Sequence, residues 1–183
     1  MEHFYYNIPG WCDFENIYYG MVQMLPTDSH IVEVGSWKGR SAAFMCVEIA
    51  NSGKNIRFDC VDTWKGSSVE QEHQTDPSVI NDTLYEDFLA YMEPARGLFT
   101  PVRATSVMAS TAYADASLDF VFIDAGHTYE DVHADITAWL PKVKQGGILA
   151  GHDYSNSEGV RQAVHELLTD IATDRSSWIY KKA

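Results

Sequence analysis

The chain reads as an α/β domain: a doubly wound, mostly parallel sheet of about six to seven strands, with helices on both faces. Three observations predict this. Apolar stretches rich in β-branched or aromatic residues, each closing near Gly, Asp or Ser, recur along the chain. Helical patterns of ten or more residues separate them, which is the crossover length that parallel strands require. With 183 residues, 45% of them hydrophobic and 13% aromatic, the chain is long and apolar enough to bury one sizeable core. A single domain over residues 1–183 is expected.

In chain order, residues 1–27 read as an N-terminal helical segment. HIVEVGS (30–36) is the first strand, and the apolar run Ser41 to Ala50 a buried helix. IRFDCVD (56–62) is the second strand. KGSSVEQEHQTDPSVIND (65–82) is polar and irregular and follows a strand end, where such folds carry lids. LFTPVRA (98–104) is a weaker strand, interrupted by Pro101, and LDFVFIDAG (118–126) a strong one. After Thr128, the residues Tyr129, Val132, Ile136, Trp139 and Leu140 share a helical face, with Asp131 and Asp135 off it; Pro141 and Gly146–Gly147 end the pattern. GILAGHD (147–153) is the next strand. Val160, Val164, Leu167, Leu168 and Ile171 mark a last helix, and the closing SSWIYKKA has length for one strand. An antiparallel final strand missing from the sheet would leave an edge for a homodimer to cover.

Charge and cysteines narrow the function. A formal net charge of -13 disfavours nucleic acid and anionic membranes, because holding a phosphate backbone takes clustered Lys and Arg. Cys12, Cys46 and Cys60 are odd in number and scattered, so they read as reduced thiols of a cytoplasmic protein rather than a disulfide frame. No basic segment followed by a long apolar one opens the chain, and no apolar window reaches the ~18 residues of a membrane span. A soluble protein with a small-molecule substrate is expected.

Ligands of open α/β sheets bind beyond the carboxyl ends of the strands. The first strand ends in Glu33, followed by the turn Gly35-Ser36-Trp37-Lys38-Gly39-Arg40-Ser41, whose glycines allow a ligand close to backbone amides. A phosphate-binding P-loop needs Gly-Lys-Ser/Thr at another spacing. A dinucleotide fingerprint needs a further glycine and would set Glu33 beside a pyrophosphate. A cationic ligand without phosphate, such as S-adenosylmethionine (SAM), suits that carboxylate. Asp62, closing the second strand, is placed to accept two ribose hydroxyls, and Trp64 to cover an adenine.

These features, with IVEVGSWKGRSA, FDCVDTWKGS, RATSVMAS, LDFVFIDAGHTYEDVHADITAWLPKVKQGGILAGHDY and GVRQAV, resemble the class I SAM-dependent methyltransferases. Within them the likeness is to small O-methyltransferases related to macrocin and rhamnosyl O-methyltransferases and to cephalosporin-hydroxylase-like proteins. It spans roughly residues 28 to 170. The resemblance implies a cofactor site of Glu33, Gly35, Ser36, Gly39 and Ser41 at the methionine end. It implies Asp62, Thr63 and Trp64 at the ribose and adenosine, Thr105 and Ser106 near the adenine, and Asp124 among the cofactor-binding residues. It further implies a divalent ion, Mg2+ or Mn2+, on Asp124, His152 and Asp153; His152 stands where relatives often carry an acid, which shifts preference toward softer ions.

Methyl transfer to a hydroxyl needs alignment and a proton acceptor. Asp124, His127 and His152 are the candidate catalytic residues. His127 precedes a helix whose positive N-terminus disfavours imidazolium, so a neutral imidazole available as base is expected. His152 serves as base, ligand or support for Asp124. His73 in the lid is a weaker contact candidate, Trp11 and Tyr18 are candidates for packing over the site, and His133 and His165 read as structural or exposed. The expected reaction is methylation of a hydroxyl on a sugar or glycosylated metabolite. Two other readings remain at this point: a non-haem metal oxygenase or hydrolase using His127, His152 and Asp153, and a SAM-binding module without turnover.

Overall fold

A computed structural model describes residues 1–67 and 70–183; positions 68 and 69, part of the expected lid, lie outside the described residues. The strands are β1 (His30–Val34), β2 (Arg57–Asp62), β3 (Thr100–Arg103), β4 (Leu118–Ile123), β5 (Val143–Gly151), β6 (Ala172–Asp174) and β7 (Ser177–Lys181). They form one seven-stranded sheet in the order β3-β2-β1-β4-β5-β7-β6. β1 to β5 run parallel, and β7 lies antiparallel to both β5 and β6. The order reverses between β1 and β4, so their carboxyl ends flank the crevice where a doubly wound sheet takes its ligand.

Alternation within each strand builds two cores. Ile31, Phe58, Phe120 and Phe122 face one side and are covered by α1 (Glu15–Met24) and α2 (Arg40–Ser52). Val32, Val61, Val121 and Leu149 face the other and are covered by α7 (Tyr129–Trp139) and α8 (Glu158–Leu167). Burying each such side chain contributes roughly 1.5–3 kcal/mol, so Phe120→Ala, at a site with no exposure, costs about 3–5 kcal/mol. Thr128 caps α7 by accepting from the Asp131 amide, and Ser157 caps α8 by accepting from that of Val160. Cys46 and Cys60 are buried and Cys12 half-buried, all as free thiols.

The strand expectations hold in place and direction, including β3, whose Pro101 is tolerated because β3 is an edge strand. Three expectations do not hold. The chain ends in a hairpin rather than one strand: Arg175 takes a left-handed φ of 50° at the turn, and β6 pairs with β7. Consequently the last helix stops at Leu167, and Ile171 precedes β6 instead of continuing the helical face. The 65–82 stretch is not irregular throughout, since it contains α3 (Gln71–Thr75) and α4 (Pro77–Ile80), followed by α5 (Leu84–Tyr91). Asp76 nucleates α4 by accepting from the Ser78 amide, with Pro77 at the first helical position. Among the described residues no helix is long and apolar enough to cross a membrane.

Candidate functional site

Where β1 ends, Gly35 adopts φ +96°, and a Cβ there would lie 1.9 Å from the carbonyl oxygen of Asp124. Only glycine lets the ends of β1 and β4 approach this closely; the Asp124 amide donates to the Val34 carbonyl at 2.7 Å. Above this contact opens a cavity of about 420 Å³, whose walls include Gly35, Asp62, Thr63, Thr105, Ser106 and Asp124. Asp62 is held rigidly: one oxygen accepts from the Trp37 amide at 2.8 Å, the other from the Trp64 amide at 2.7 Å. Burial raises its pKa, while those amides oppose the rise. Each oxygen keeps a further lone pair for a ligand.

The remaining cofactor candidates separate. Ser36 and Ser41 line an adjoining cavity. Glu33 lies deeper, 1% exposed, and accepts a hydrogen bond from the Tyr18 hydroxyl at 2.6 Å. Burial raises its pKa to about 7, against the lowering influence of Tyr18, Ser36 and Ser41. Its other oxygen, Oε1, and the Ser36 hydroxyl are both buried, with Ser36 and Ser41 beside the carboxylate. Gly39, at φ +94°, packs toward Met92 and Phe88 and starts α2 rather than lining the cleft. Trp64 is 1% exposed and packs on Tyr85 and Phe88, so it does not cover an adenine. Trp37 takes the position at the wall instead, stacked on His73 with centroids 3.8 Å apart. Asp131 and Asp135, set aside as off the helical face, also line the first cavity; that face packs on the sheet, while the next one around the helix faces the cleft. Asp135 is 5% exposed, and burial raises its pKa to about 6.

The adjoining cavity, about 550 Å³, shares Gly35, Trp37, His73, Asp124 and Ala125 with the first. Trp11 and Asp13 contribute from the N-terminal segment, and Glu70 and Glu72 from the lid. Four of these, Trp11, Asp13, Glu70 and Glu72, come from segments whose spacing carries no code; the sequence marks Trp11 as a candidate for packing over the site but not the three acids.

Its floor is the His–Asp cluster. A Cβ on Gly151 would stand 2.5 Å from the Ile123 carbonyl and 2.6 Å from the Trp178 ring, so glycine is required to bring β5 against β4. The chain then turns through Asp153, which adopts a left-handed φ of 57°, a conformation Asp tolerates better than most residues. His152 Nδ1 lies 3.2 Å from Asp153 Oδ2 and 3.8 Å from Asp124 Oδ1, and its Nε2 lies 2.7 Å from Asp13 Oδ1. His127 Nε2 lies 3.1 Å from Asp153 Oδ2 and 3.9 Å from Asp124 Oδ1, with its Nδ1 3.2 Å from Glu70.

These contacts overturn the expectation of a neutral His127. The carboxylates of Asp124 and Asp153 raise its pKa to about 11, more than burial lowers it. Two carboxylates at contact distance outweigh a helix terminus. For His152, burial works downward but Asp153, Asp124 and Asp13 raise it to about 9. Burial likewise opposes ionisation of Asp153, yet His127 and His152 hold it far below the usual carboxylate range.

Asp124, His152 and Asp153 each offer a ligand atom, and these all lie within 4.8 Å of one another; they form the one such set among the described residues. One imidazole and two carboxylates fit a divalent ion of the Mg2+ to Mn2+ kind. His127 is outside the set, so the two-histidine, one-carboxylate arrangement needed for the oxygenase reading is not formed. Tyr18 supports Glu33 from within the core rather than covering the site. His165 bonds the Tyr154 hydroxyl at 2.7 Å, and His133 lies 3.9 Å from Glu166, both away from the cavities.

The fold has counterparts among solved structures. The uncharacterized protein y4gI of Sinorhizobium fredii (strain NBRC 101917 / NGR234) is 28% identical over 123 residues, which span 67% of this chain but 13% of that protein. The O-methyltransferase NovP superposes with a TM-score of 0.66 at 17% identity, over 92% of this chain and 78% of its own. The TDP-rhamnose 3'-O-methyltransferase CalS11, an enzyme of calicheamicin biosynthesis, gives 0.63 at 17% identity, over 91% and 76%. At such identities the likeness to both structures is one of fold. The family model of the methyltransferase domain matches residues 32–154, from within β1 through Tyr154, and the chain belongs to that family.

Proposed function

We propose that the protein is a SAM-dependent O-methyltransferase acting on a hydroxyl of a small molecule, a sugar or glycosylated metabolite. The observation that carries this reading is the pair of cavities sharing one wall, with Asp62, Thr63, Thr105 and Ser106 in the first, the His–Asp cluster in the second, and Gly35 and Asp124 in both. The first fits SAM on the chain's own terms: Gly35 at its wall, where no side chain intrudes, and a fixed carboxylate acceptor at Asp62. When bound, SAM would supply an electrophilic methyl group on a sulfonium, open to in-line attack by the acceptor oxygen with S-adenosylhomocysteine as the leaving group.

The chain's residues then have two tasks. Asp62 and the Gly35 turn orient the cofactor so that its reacting end faces the shared wall, which supplies proximity, the largest entropic part of such a barrier. Asp124, His127, His152 and Asp153 handle the hydroxyl proton. Asp124, His152 and Asp153 would hold a divalent ion, which would supply Lewis acidity toward the hydroxyl. His127, beside Asp124 and Asp153, would take that proton from its deprotonated state.

Calorimetric titration with S-adenosylhomocysteine tests the reading. One equivalent is expected to bind, with at least a tenfold loss in Asp62→Asn, which gives up one of two acceptor oxygens. Absence of binding to the unaltered protein overturns the proposal.

A further inference from the structure

We propose that Asp13 is a positioning residue for the metal set: its carboxylate holds one ring nitrogen of His152 and thereby presents the other to the ion. This rests on the reading of Asp124, His152 and Asp153 as ligands and deepens it. The two nitrogens of the His152 ring have different neighbours. Nδ1 faces the other two ligands, 3.2 Å from Asp153 Oδ2 and 3.8 Å from Asp124 Oδ1. Nε2 meets Asp13 Oδ1 at 2.7 Å. A carboxylate can only accept, so this contact keeps a proton on Nε2. In the neutral ring that a metal requires, the lone pair is then left on Nδ1. A carboxylate behind a ligating histidine fixes its tautomer and ring plane and makes the ligand nitrogen more basic.

Asp13 is brought to His152 across 139 positions of sequence, and its backbone is held from two sides. The next residue, Phe14, is 2% exposed, its ring centroid 4.5 Å from that of Phe122 on β4 and 5.1 Å from that of His152. Arg175, in the turn between β6 and β7, donates to the Asp13 carbonyl at 2.7 Å. Packing on the sheet and the terminal hairpin thus fix the main chain, while the Asp13 carboxylate is given to His152. Support of this kind, from elements outside the ligand set, holds a ligand in one orientation before the ion arrives. It also bears on which ion is preferred. A more basic imidazole favours Mn2+, which accepts nitrogen readily, over Mg2+, whose bonding rests on the two carboxylates.

Calorimetric titration with Mn2+ and with Mg2+ tests this on the parent and on two variants, Asp13→Ala and Arg175→Gln. Asp13→Ala is expected to weaken Mn2+ binding at least about tenfold and Mg2+ binding by no more than about threefold, so that the preference for Mn2+ narrows. Retained Mg2+ binding shows at the same time that the variant is folded. Arg175→Gln loosens the same segment but spares the carboxylate, and is expected to keep Mn2+ affinity within about threefold of the parent. Undiminished Mn2+ binding in Asp13→Ala, equal losses for the two ions, or a loss as large in Arg175→Gln overturns the inference and leaves Asp13 a tether of the N-terminal segment. Absence of Mn2+ binding to the unaltered protein overturns the metal reading beneath it and is seen first, in the parent titration.

Discussion

His127 Nε2 and Asp153 Oδ2 lie 3.1 Å apart, joining the loop after β4 to the end of β5 across the floor of the second cavity. That pair couples the charge state of the imidazole to the carboxylate that also faces His152. It makes the site a store of protons when no other cation is bound.

The first prediction concerns this pair. In metal-free protein the His127 imidazole titrates near 11, held up by Asp124 and Asp153. Asp153→Asn removes one negative charge and brings the value down by more than one unit toward the ordinary 6.5. NMR titration of the imidazole resonances reads both values; a His127 pKa near 6.5 in the unaltered protein contradicts the electrostatics described here.

The second concerns Glu33. Its native carboxyl holds a proton up to about pH 7, whereas an unfolded one releases it near 4.5. The native state therefore binds more protons over that interval, and stability, fully present below about pH 4.5, declines as pH rises to about 7. The decline is on the order of 3 kcal/mol. Glu33→Gln is expected to match the parent near pH 5, to exceed its stability at pH 8, and to bind the cationic cofactor less well. Urea unfolding at the two pH values measures the first two effects. A variant less stable than the parent at pH 8 contradicts the assignment.

The third concerns the lid. Lys38 in the glycine turn and Asp76 at the start of α4 form an ion pair at 2.5 Å, with side chains 9% and 18% exposed. It ties the segment carrying His73 and Glu72 to the cofactor turn. Asp76→Asn leaves the lysine charge without its partner, at a cost of about 2 kcal/mol, less than for a fully buried pair. For a chain of this size that lowers Tm by about 4–8 °C. Scanning calorimetry checks it, and an unchanged Tm shows the pair to be dispensable.

The fourth concerns the metal set. Mn2+ at a hundredfold excess over its Kd is expected to stabilise the protein by about 2.7 kcal/mol. The effect is larger at pH 8 than at pH 6, because His152, with its pKa at about 9, must give up a proton to become a ligand. Asp124→Asn abolishes most of the gain in a thermal-shift assay. Stabilisation that persists in Asp124→Asn places the ion elsewhere.

Much of this site was legible before the fold was in view, for a physical reason. Strand ends are marked by local chemistry, so Gly35, Asp62, His152 and Asp153 stand out from their own neighbours in the chain, whereas Asp124 is implied by the family resemblance. What escaped depends on packing between distant segments. Trp64 and Trp37 are both aromatic residues in turns after strands, and only the arrival of Tyr85 and Phe88 sends the former into the core. Asp13, Glu70 and Glu72 reach the cavity from segments without periodicity. His127 was misjudged in charge because the helix beside it is visible in the sequence, whereas Asp153, 26 positions later in sequence, is brought to it only by β4–β5 pairing. The terminal hairpin was missed because β6 is three residues long, too short for a pattern.

The central claim is that the cleft at the β1–β4 switch point holds SAM. A crystal structure of the protein grown with S-adenosylhomocysteine and Mn2+ tests it most directly. The account predicts the ribose hydroxyls on the Asp62 carboxylate, the adenine beside Thr105 and Ser106, and the sulfur facing the cavity floored by Asp124 and His152. A ligand bound elsewhere, or none at saturating concentration, would contradict it.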